Sequence, residues 1–336
     1  MDKQNLEKIL EKLGQPKFRL KQIQKAIYQD GVLNWEEITT IPKDLREKLK
    51  KEIEILPFKS KNILAGKDKR SFKALLELAD GNLVETVLIS PKPGEWSVCV
   101  STQAGCPLGC AFCATGKSGF KRNLTTEEIE GQVLFWKGKE EIRNIVFMGM
   151  GEPFLNWKNV REALLDLHNL ELFGFGWRSL SVSTAGVPKG IEEMAEEFPQ
   201  VNLAVSLHFA DDKERSHFMP INRKYNLAVL RRALQGYFSK SRRKVFVEYM
   251  MLSGINDSKK NAENLANYLH SVGNQYLLHV NLISYNTASR ELHPPAPERM
   301  QEFKSYLLRS GISATIRKSL GTEIQAACGQ LAGKRL

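Results

Sequence analysis

From about residue 96 onward the chain alternates short runs rich in β-branched residues with amphipathic stretches of helical period. That alternation restricts it to parallel strands with helices packed outside, because a parallel neighbour can be reached only through a crossover. The candidate strands are Val98–Ser101, Asn144–Met148, Ser179–Ser183, Leu203–Leu207, Val245–Met251 and Leu278–Ile283, with a last one at Ser313–Arg317. Roughly six strand–helix units over residues 96–320 are too few for a closed eightfold barrel, so the expected class is α/β with a partial (β/α)6 barrel. Thr125 and Glu128, three apart, form a capping box that starts the first crossover helix.

Upstream the period changes. Leu6, Ile9, Leu10 and Leu13, then Leu20, Ile23, Ala26 and Ile27, recur at helical spacing, and a third helix is expected after Pro42 through Leu45 and Leu49. Residues 1–55 therefore read as a small helical accessory domain. Within residues 56–95, Phe72–Leu78 and Leu83–Ile89 flank Asp80-Gly81, the turn signal of a β-hairpin extension. Residues 321–336 remain as a C-terminal tail. No apolar run approaches the roughly 18 residues of a membrane span, and the start at Met1-Asp2-Lys3 lacks the apolar core of a secretory signal. The expected compartment is the cytoplasm, with no membrane partner. Lys and Arg number 49 against 38 Asp and Glu, a formal charge of +11. Such a balance suits a polyanionic partner, most simply nucleic acid. Basic clusters occur at Lys67, Lys69 and Arg70, at Lys117, Lys121 and Arg122, at Arg231-Arg232, and at Arg242-Arg243-Lys244.

Three of the five cysteines fall within eight residues, as Cys106-x3-Cys110-x2-Cys113, in the loop after the first barrel strand. A disulfide framework is unusual in a cytosolic chain of this size, which turns attention to metal binding or catalysis. Thiolates are the usual ligands of iron–sulfur clusters, and a cubane normally takes four. Three close thiolates leave one iron open to the amine and carboxylate of a small substrate. Spacing alone also leaves room for a zinc site with Cys99 as fourth thiolate, and hence for a zinc-stabilised RNA-binding protein without catalysis. Gly149-Met150-Gly151-Glu152-Pro153 follows a strand end, where glycines let a backbone approach a ligand and Glu152 can accept hydrogen bonds. Cys328, among Ala326, Ala327 and Gly329, suits a mobile, accessible thiol.

The run Cys106-Pro-Leu-Gly-Cys110-Ala-Phe-Cys113 resembles the CxxxCxxC of the radical-SAM superfamily. The longer runs Cys99-Val-Ser-Thr-Gln-Ala-Gly-Cys106 and Gly119-Phe-Lys-Arg-Asn-Leu-Thr are similar to the RlmN-type RNA adenine C2-methyltransferases and their C8-methylating relatives, the Cfr resistance enzymes. Gly149–Pro153, Val205-Ser-Leu-His208, Met219-Pro-Ile-Asn222 and Ala326-Ala-Cys-Gly-Gln-Leu331 continue the match in order, and the N-terminal helical segment resembles that family's accessory domain.

The resemblance implies a 4Fe–4S cluster on Cys106, Cys110 and Cys113, and two S-adenosylmethionine (SAM) molecules per turnover. It implies SAM contacts at Gly151, Glu152, Ser183, Ser206, Leu207, His208 and Asn286, although Ser284 here stands before Tyr285-Asn286 where the family often has proline. In the family's scheme Cys328 takes a methyl group from one SAM and, after radical activation, bonds covalently to the RNA. Cys99 then resolves the adduct through a disulfide with Cys328, and Glu85 matches a carboxylate proposed to accept the substrate proton. The implied substrates are an adenosine of 23S rRNA and the tRNA adenosine beside the anticodon, methylated at C2. The implied electron donor is a flavodoxin or ferredoxin. Cfr-like C8 methylation is the nearest alternative, and a radical-SAM enzyme acting on a peptide a more distant one. Pro153 after Glu152, and Ala104 where the resistance enzymes are expected to carry an extra cysteine, favour C2.

Overall fold

The computed structural model describes residues 1–287 and 291–333. Three antiparallel strands, β1 (Phe58–Ala65), β2 (Ser71–Leu78) and β3 (Leu83–Lys92), lead into β4 (Glu95–Cys99). A separate two-stranded ribbon, β5 (Gln103–Gly105) with β6 (Phe120–Asn123), follows. Then come β7 (Ile142–Phe147), β8 (Leu180–Thr184), β9 (Asn202–Ser206), β10 (Val245–Met251), β11 (Leu278–Ser284) and β12 (Ser313–Arg317). Among the described residues one sheet runs in the order β1-β2-β3-β4-β7-β8-β9-β10-β11-β12. From β4 to β12 every pairing is parallel, with β10 and β11 in register from Val245 opposite Leu278 to Met251 opposite Ser284. This is the α/β partial barrel that the strand–helix alternation predicts, with the last strand at the expected residues.

The three N-terminal helices are α1 (Lys3–Lys12), α2 (Phe18–Gln24) and α3 (Lys43–Glu52), and the short α4 (Ala114–Lys117) follows Cys113. The crossovers are α5 (Thr126–Lys137), α6 (Trp157–His168), α7 (Pro188–Glu197), the short α8 (Asp212–Phe218), α9 (Leu227–Lys240), α10 (Lys259–Val272) and α11 (Pro297–Arg309). α5 begins on the expected capping box, Thr125 accepting from the Glu128 amide while Glu128 accepts from the Thr125 amide at 2.9 Å. The hairpin turn also forms as expected, with Gly81 at φ +80° and the Asp80 carboxylate accepting from the Asn82 amide.

β1 is a strand that periodicity misses. It is the sheet's edge, so Lys59, Ser60, Lys61 and Asn62 are all exposed and no alternating apolar face survives in its sequence. β3, two strands in from that edge, shows the opposite, buried on both faces from Val84 to Leu88, with Glu85 and Thr86 inside.

The N-terminal helices do not stand clear of the barrel. Leu6, Ile23, Ile27 and Leu49 share one continuous core with Val133 and Leu134 of α5 and Leu164 of α6. Lys3 reaches across to Glu130 of α5 at 3.0 Å and to Asp166 of α6. Glu130 is fully buried, and burial pushes its carboxyl well up, Lys3 opposing. Among the described residues no helix is long and apolar enough to cross a membrane.

Removing Lys3 leaves Glu130 buried without its cation. Lys3→Met should therefore cost about 3 kcal/mol of stability near pH 8. It should cost less at lower pH, because the raised Glu130 pKa lets that carboxyl take up a proton and shed its unpaired charge more readily than a free one. Urea-unfolding midpoints of the two proteins over that pH range check this.

Candidate active site

The parallel strands present their C-terminal ends on one rim, and a cavity of about 160 Å³ opens there. The β5–β6 ribbon carries the cysteine loop into it. At Gly105, φ is +77° and a Cβ would lie 1.8 Å from the Gly119 carbonyl oxygen, so only glycine lets the two strands close. The Cys106 amide then donates to that carbonyl at 3.1 Å, and the Ala111 amide donates to the Phe218 carbonyl at 2.9 Å. Cys106, Cys110 and Cys113 all line the cavity.

Burial pushes the Cys106 thiol up to about 12. Cys110 is pushed up further, first by burial and then by the neighbouring Cys113 and Cys106. Buried, mutually repelling thiolates require a cationic centre to bind, and an iron–sulfur cluster supplies one. Among the described residues no three His, Cys, Asp or Glu side chains converge as ligands of a single ion. Three thiols spread round a cavity fit a cluster, in which each iron takes its own thiolate.

The strand ends supply the opposite wall. Gly151 has φ +102°, and a Cβ there would meet the Gln103 side chain at 2.6 Å. Glu152 lies 2% exposed, its carboxylate accepting from the Ala185 amide at 2.7 Å and the Phe154 amide at 3.2 Å. Burial raises its pKa to about 7, the Ala185 bond pulling the other way. Ser183 and Ser206, at the ends of β8 and β9, face each other with hydroxyl oxygens 3.5 Å apart. His208 sits in the left-handed region at φ +57°, a strained conformation for this residue type. Its Nδ1 accepts from the Met250 amide at 3.0 Å, its backbone carbonyl accepts from Asn256, and the Phe112 ring packs edge-on against it. Burial, then the Arg215 charge, lowers its pKa to about 3, so the ring is neutral.

The tail closes the third side. Cys328 is exposed toward the cavity, where the surrounding protein pushes its thiol up and the Arg317 guanidinium pulls it down. Asn286 donates to the Cys328 carbonyl at 3.2 Å. Cys99, at the end of β4, lies behind the cavity wall; burial raises its thiol to about 12, with Cys328 adding to the shift. All five cysteines are free thiols.

Nine of the thirteen expected site residues thus line one cavity: Cys106, Cys110, Cys113, Gly151, Glu152, Ser183, Ser206, His208 and Cys328. Leu207, Asn286, Cys99 and Glu85 do not. Leu207 is buried and gives its carbonyl to Arg215 at 3.1 Å. Glu85 sits beneath the tail, bound to Lys73 at 2.8 Å and to the Ala332 amide at 2.6 Å.

Three residues beyond the motif reading shape the site. Arg215 is fully buried and donates to the carbonyls of Ala185 and Leu207 and to Asn222, lacing the ends of β8 and β9 together. Asn222 of the Met-Pro-Ile-Asn run was the available signal, since it is the side chain that receives the guanidinium. Arg317 and Glu248 line the cavity 3.8 Å apart, with Asn281 donating to Glu248 at 2.9 Å. A charged residue in the middle of the buried β10 and another at the end of β12 were the only trace they left in the sequence.

Residues 100–266 match the family model described as Radical SAM superfamily. The rim cavity and its three thiols are those of a radical-SAM enzyme. Residues 1–55 match a second model, the ribosomal RNA large subunit methyltransferase N-terminal domain. A probable dual-specificity RNA methyltransferase RlmN of Heliobacterium modesticaldum is 43% identical, over 95% of this chain and 85% of that protein. A ribosomal RNA large subunit methyltransferase Cfr of Clostridium botulinum is 39% identical, over 97% of this chain and 95% of that one. The crystal structure of a radical SAM methyltransferase from Sphaerobacter thermophilus superposes with a TM-score of 0.92 at 38% identity, covering 99% of this chain and 98% of that one. The chain belongs to the RlmN/Cfr family of radical-SAM rRNA methyltransferases, a family that implies a 4Fe–4S cluster and SAM.

Glu152→Gln tests the expected SAM contact, since it keeps an acceptor for the Ala185 amide but removes the charge. SAM affinity of the anaerobic protein should fall about tenfold to a hundredfold, the worth of a hydrogen bond to a charged group. Because the Glu152 pKa is raised to about 7, wild-type affinity should strengthen as pH rises through that value and the carboxylate forms. Equilibrium dialysis of SAM against pH, for both proteins, reads this directly.

Proposed function

We propose that this enzyme methylates C2 of an adenosine in 23S rRNA and of the tRNA adenosine beside the anticodon, with Cys328 as the methyl carrier. The observation that supports it best is that Cys328, held on the C-terminal tail, opens into the same cavity as Cys106, Cys110 and Cys113 and the strand-end residues Glu152, Ser183 and Ser206. Adenine C2 is an electron-poor carbon with no nucleophilic lone pair, so it cannot attack SAM itself. A protein thiol between SAM and base overcomes that.

Held by Cys106, Cys110 and Cys113, a 4Fe–4S cluster with SAM supplies the hydrogen-abstracting chemistry that an unactivated methyl group needs. The protein's residues perform the remainder. Gly151, Glu152, Ser183, Ser206, His208 and Asn286 surround SAM. Arg317 favours the thiolate of Cys328, which attacks the methyl carbon of a first SAM, the new S–C bond forming as the sulfonium bond breaks and S-adenosylhomocysteine leaves. A second SAM is consumed in activating the methylated Cys328, whose carbon then bonds to the adenine. Glu85 accepts the C2 proton, and the thiolate of Cys99 attacks the sulfur of Cys328, releasing the methylated base and leaving a transient disulfide. A flavodoxin or ferredoxin supplies electrons, and the cytoplasm is the compartment.

The helical residues 1–55 are proposed to dock RNA, together with the exposed lysines 67, 69, 117 and 121 beside the tail and cysteine loop. Two of the expected basic positions do not belong with these. Arg122 is committed to Glu128 and Asp80, and Arg242-Arg243-Lys244 precede β10 at the N-terminal ends of the strands, opposite the cavity.

For C2 over C8 the support is Pro153, which opens a 3₁₀ turn directly after Glu152, and Ala104, buried in β5 two residues before Cys106. Digested RNA from the reconstituted enzyme, compared by mass spectrometry and chromatography with authentic nucleosides, should give 2-methyladenosine. Cys328→Ala should give none, and Cys99→Ala should accumulate protein bound to RNA. A dominant 8-methyladenosine peak assigns the enzyme to the Cfr activity instead. Full turnover by Cys328→Ala removes the methyl-carrier role.

A further inference from the structure

The tail that carries Cys328 is fastened at both ends to one buried ion pair. Lys73 on β2 and Glu85 on β3 are each about 3% exposed and lie 2.8 Å apart, Lys73 Nζ to Glu85 Oε1. Lys73 Nζ also donates to the Gln325 carbonyl at 3.2 Å, three residues before the cysteine. Glu85 Oε2, the oxygen the lysine leaves free, accepts from the Ala332 amide at 2.6 Å and the Gly333 amide at 3.0 Å. Residues 325 to 332 therefore form a loop whose two feet rest on neighbouring strands, with Cys328 near its crest. Secondary ties hold the loop's descending side: Thr115 donates to the Leu331 carbonyl at 2.6 Å, and the Ala114 amide donates to the Gly329 carbonyl at 2.8 Å.

Burying a lysine and a glutamate is unfavourable unless each finds further hydrogen bonds. Here those further bonds are the loop's own backbone groups, so the pair and the loop stabilise one another. Two apolar residues would fill the same volume between β2 and β3, but they would hold neither foot. The pair's geometry is thus explained by what it holds.

We propose that Lys73 is a positioning residue for Cys328, acting with Glu85 as a clasp on both ends of the tail loop, and that Glu85 Oε2 becomes available to a substrate proton only when residues 332–333 let go. Exposure of the acceptor and release of the tail's far end are then one movement. The tail stays clasped while Cys328 is loaded with its methyl group and loosens when RNA occupies the site. This second part rests on the reading of Glu85 as proton acceptor. The clasp itself does not.

The test is hydrogen–deuterium exchange of the anaerobic holoenzyme, followed on peptides covering residues 326–333, with iodoacetamide labelling of Cys328 as a parallel readout. In Lys73→Met both rates should rise by about tenfold or more, the signature of a locally opened segment, while Cys106, Cys110 and Cys113 stay unlabelled. Lys73→Arg, which can still reach the carboxylate and the Gln325 carbonyl, should restore most of the protection. Lys73→Met/Glu85→Met replaces the pair by two apolar residues of similar volume and guards against a single variant that fails to fold; its tail should exchange as fast as that of Lys73→Met. Wild-type tail exchange in either the folded Lys73→Met protein or the double variant overturns the clasp. For the second part, adding the 23S rRNA substrate to the wild-type enzyme should speed exchange at residues 332–333, and undiminished protection there rules out the coupled release. Normal turnover by Glu85→Gln would remove the proton-acceptor reading while leaving the exchange results to decide the clasp on their own.

Discussion

Parallel hydrogen bonding from β4 to β12 is the constraint on which the rest of this molecule depends. Because each strand must be re-entered from the same end, every crossover helix returns behind the sheet and every strand terminates on one rim. Gly151, Ser183, Ser206, Met251 and Arg317 are far apart in sequence and yet share that rim. The topology gathers the groups, and local devices then fix their directions. A glycine at a positive φ turns the chain after β7, a left-handed His208 turns it after β9, and the buried Arg215 bonds to the carbonyls at the ends of β8 and β9. Without that guanidinium the strand ends would lose their common partner and the pocket its shape.

How much of this could be read from the chain alone follows from how locally each feature is encoded. The barrel strands are apolar because they are covered on both faces, so short β-branched runs mark them. The capping box of α5 and the Asp80-Gly81 turn depend on residues three or fewer apart and form as their sequences imply. The cysteine loop is likewise local. β1 is encoded only by its partner β2, since an edge strand exposed on both faces carries no apolar period. Arg215 and Lys73 are of the same kind: each is a charged residue in an unremarkable setting, and only the fold brings carbonyls from distant parts of the chain to meet it. The burial of Glu85 under residues 332 and 333 depends on contacts almost 250 positions apart, which no period or spacing can announce.

Charge illustrates the same division. A net +11 says that the surface is basic, but the fold decides which cations are free. Arg122 is held between Asp80 and Glu128, and Arg215 is enclosed completely. Lys3 is committed to Glu130 and Asp166, where it ties the N-terminal helices to α5 and α6. What remains beside the cavity is a handful of lysines on the β1–β2 connection and around the cysteine loop. An anionic strand laid between them would pass over the tail.

The two feet of the Cys328 loop set a leash. Between the Gln325 carbonyl and the Ala332 amide the chain takes seven steps, which fully stretched amount to ~24 Å, so a crest anchored at both ends can rise only ~12 Å above the ion pair. A base stacked within a helix, behind its own sugar and phosphate, stays beyond such a reach. Until RNA in the site frees the far foot, the sulfur cannot go looking for its target, and the nucleotide must travel first, leaving its neighbours and turning its edge inward. Selectivity is then partly a property of the RNA: those adenosines qualify whose surroundings already hold them loosely.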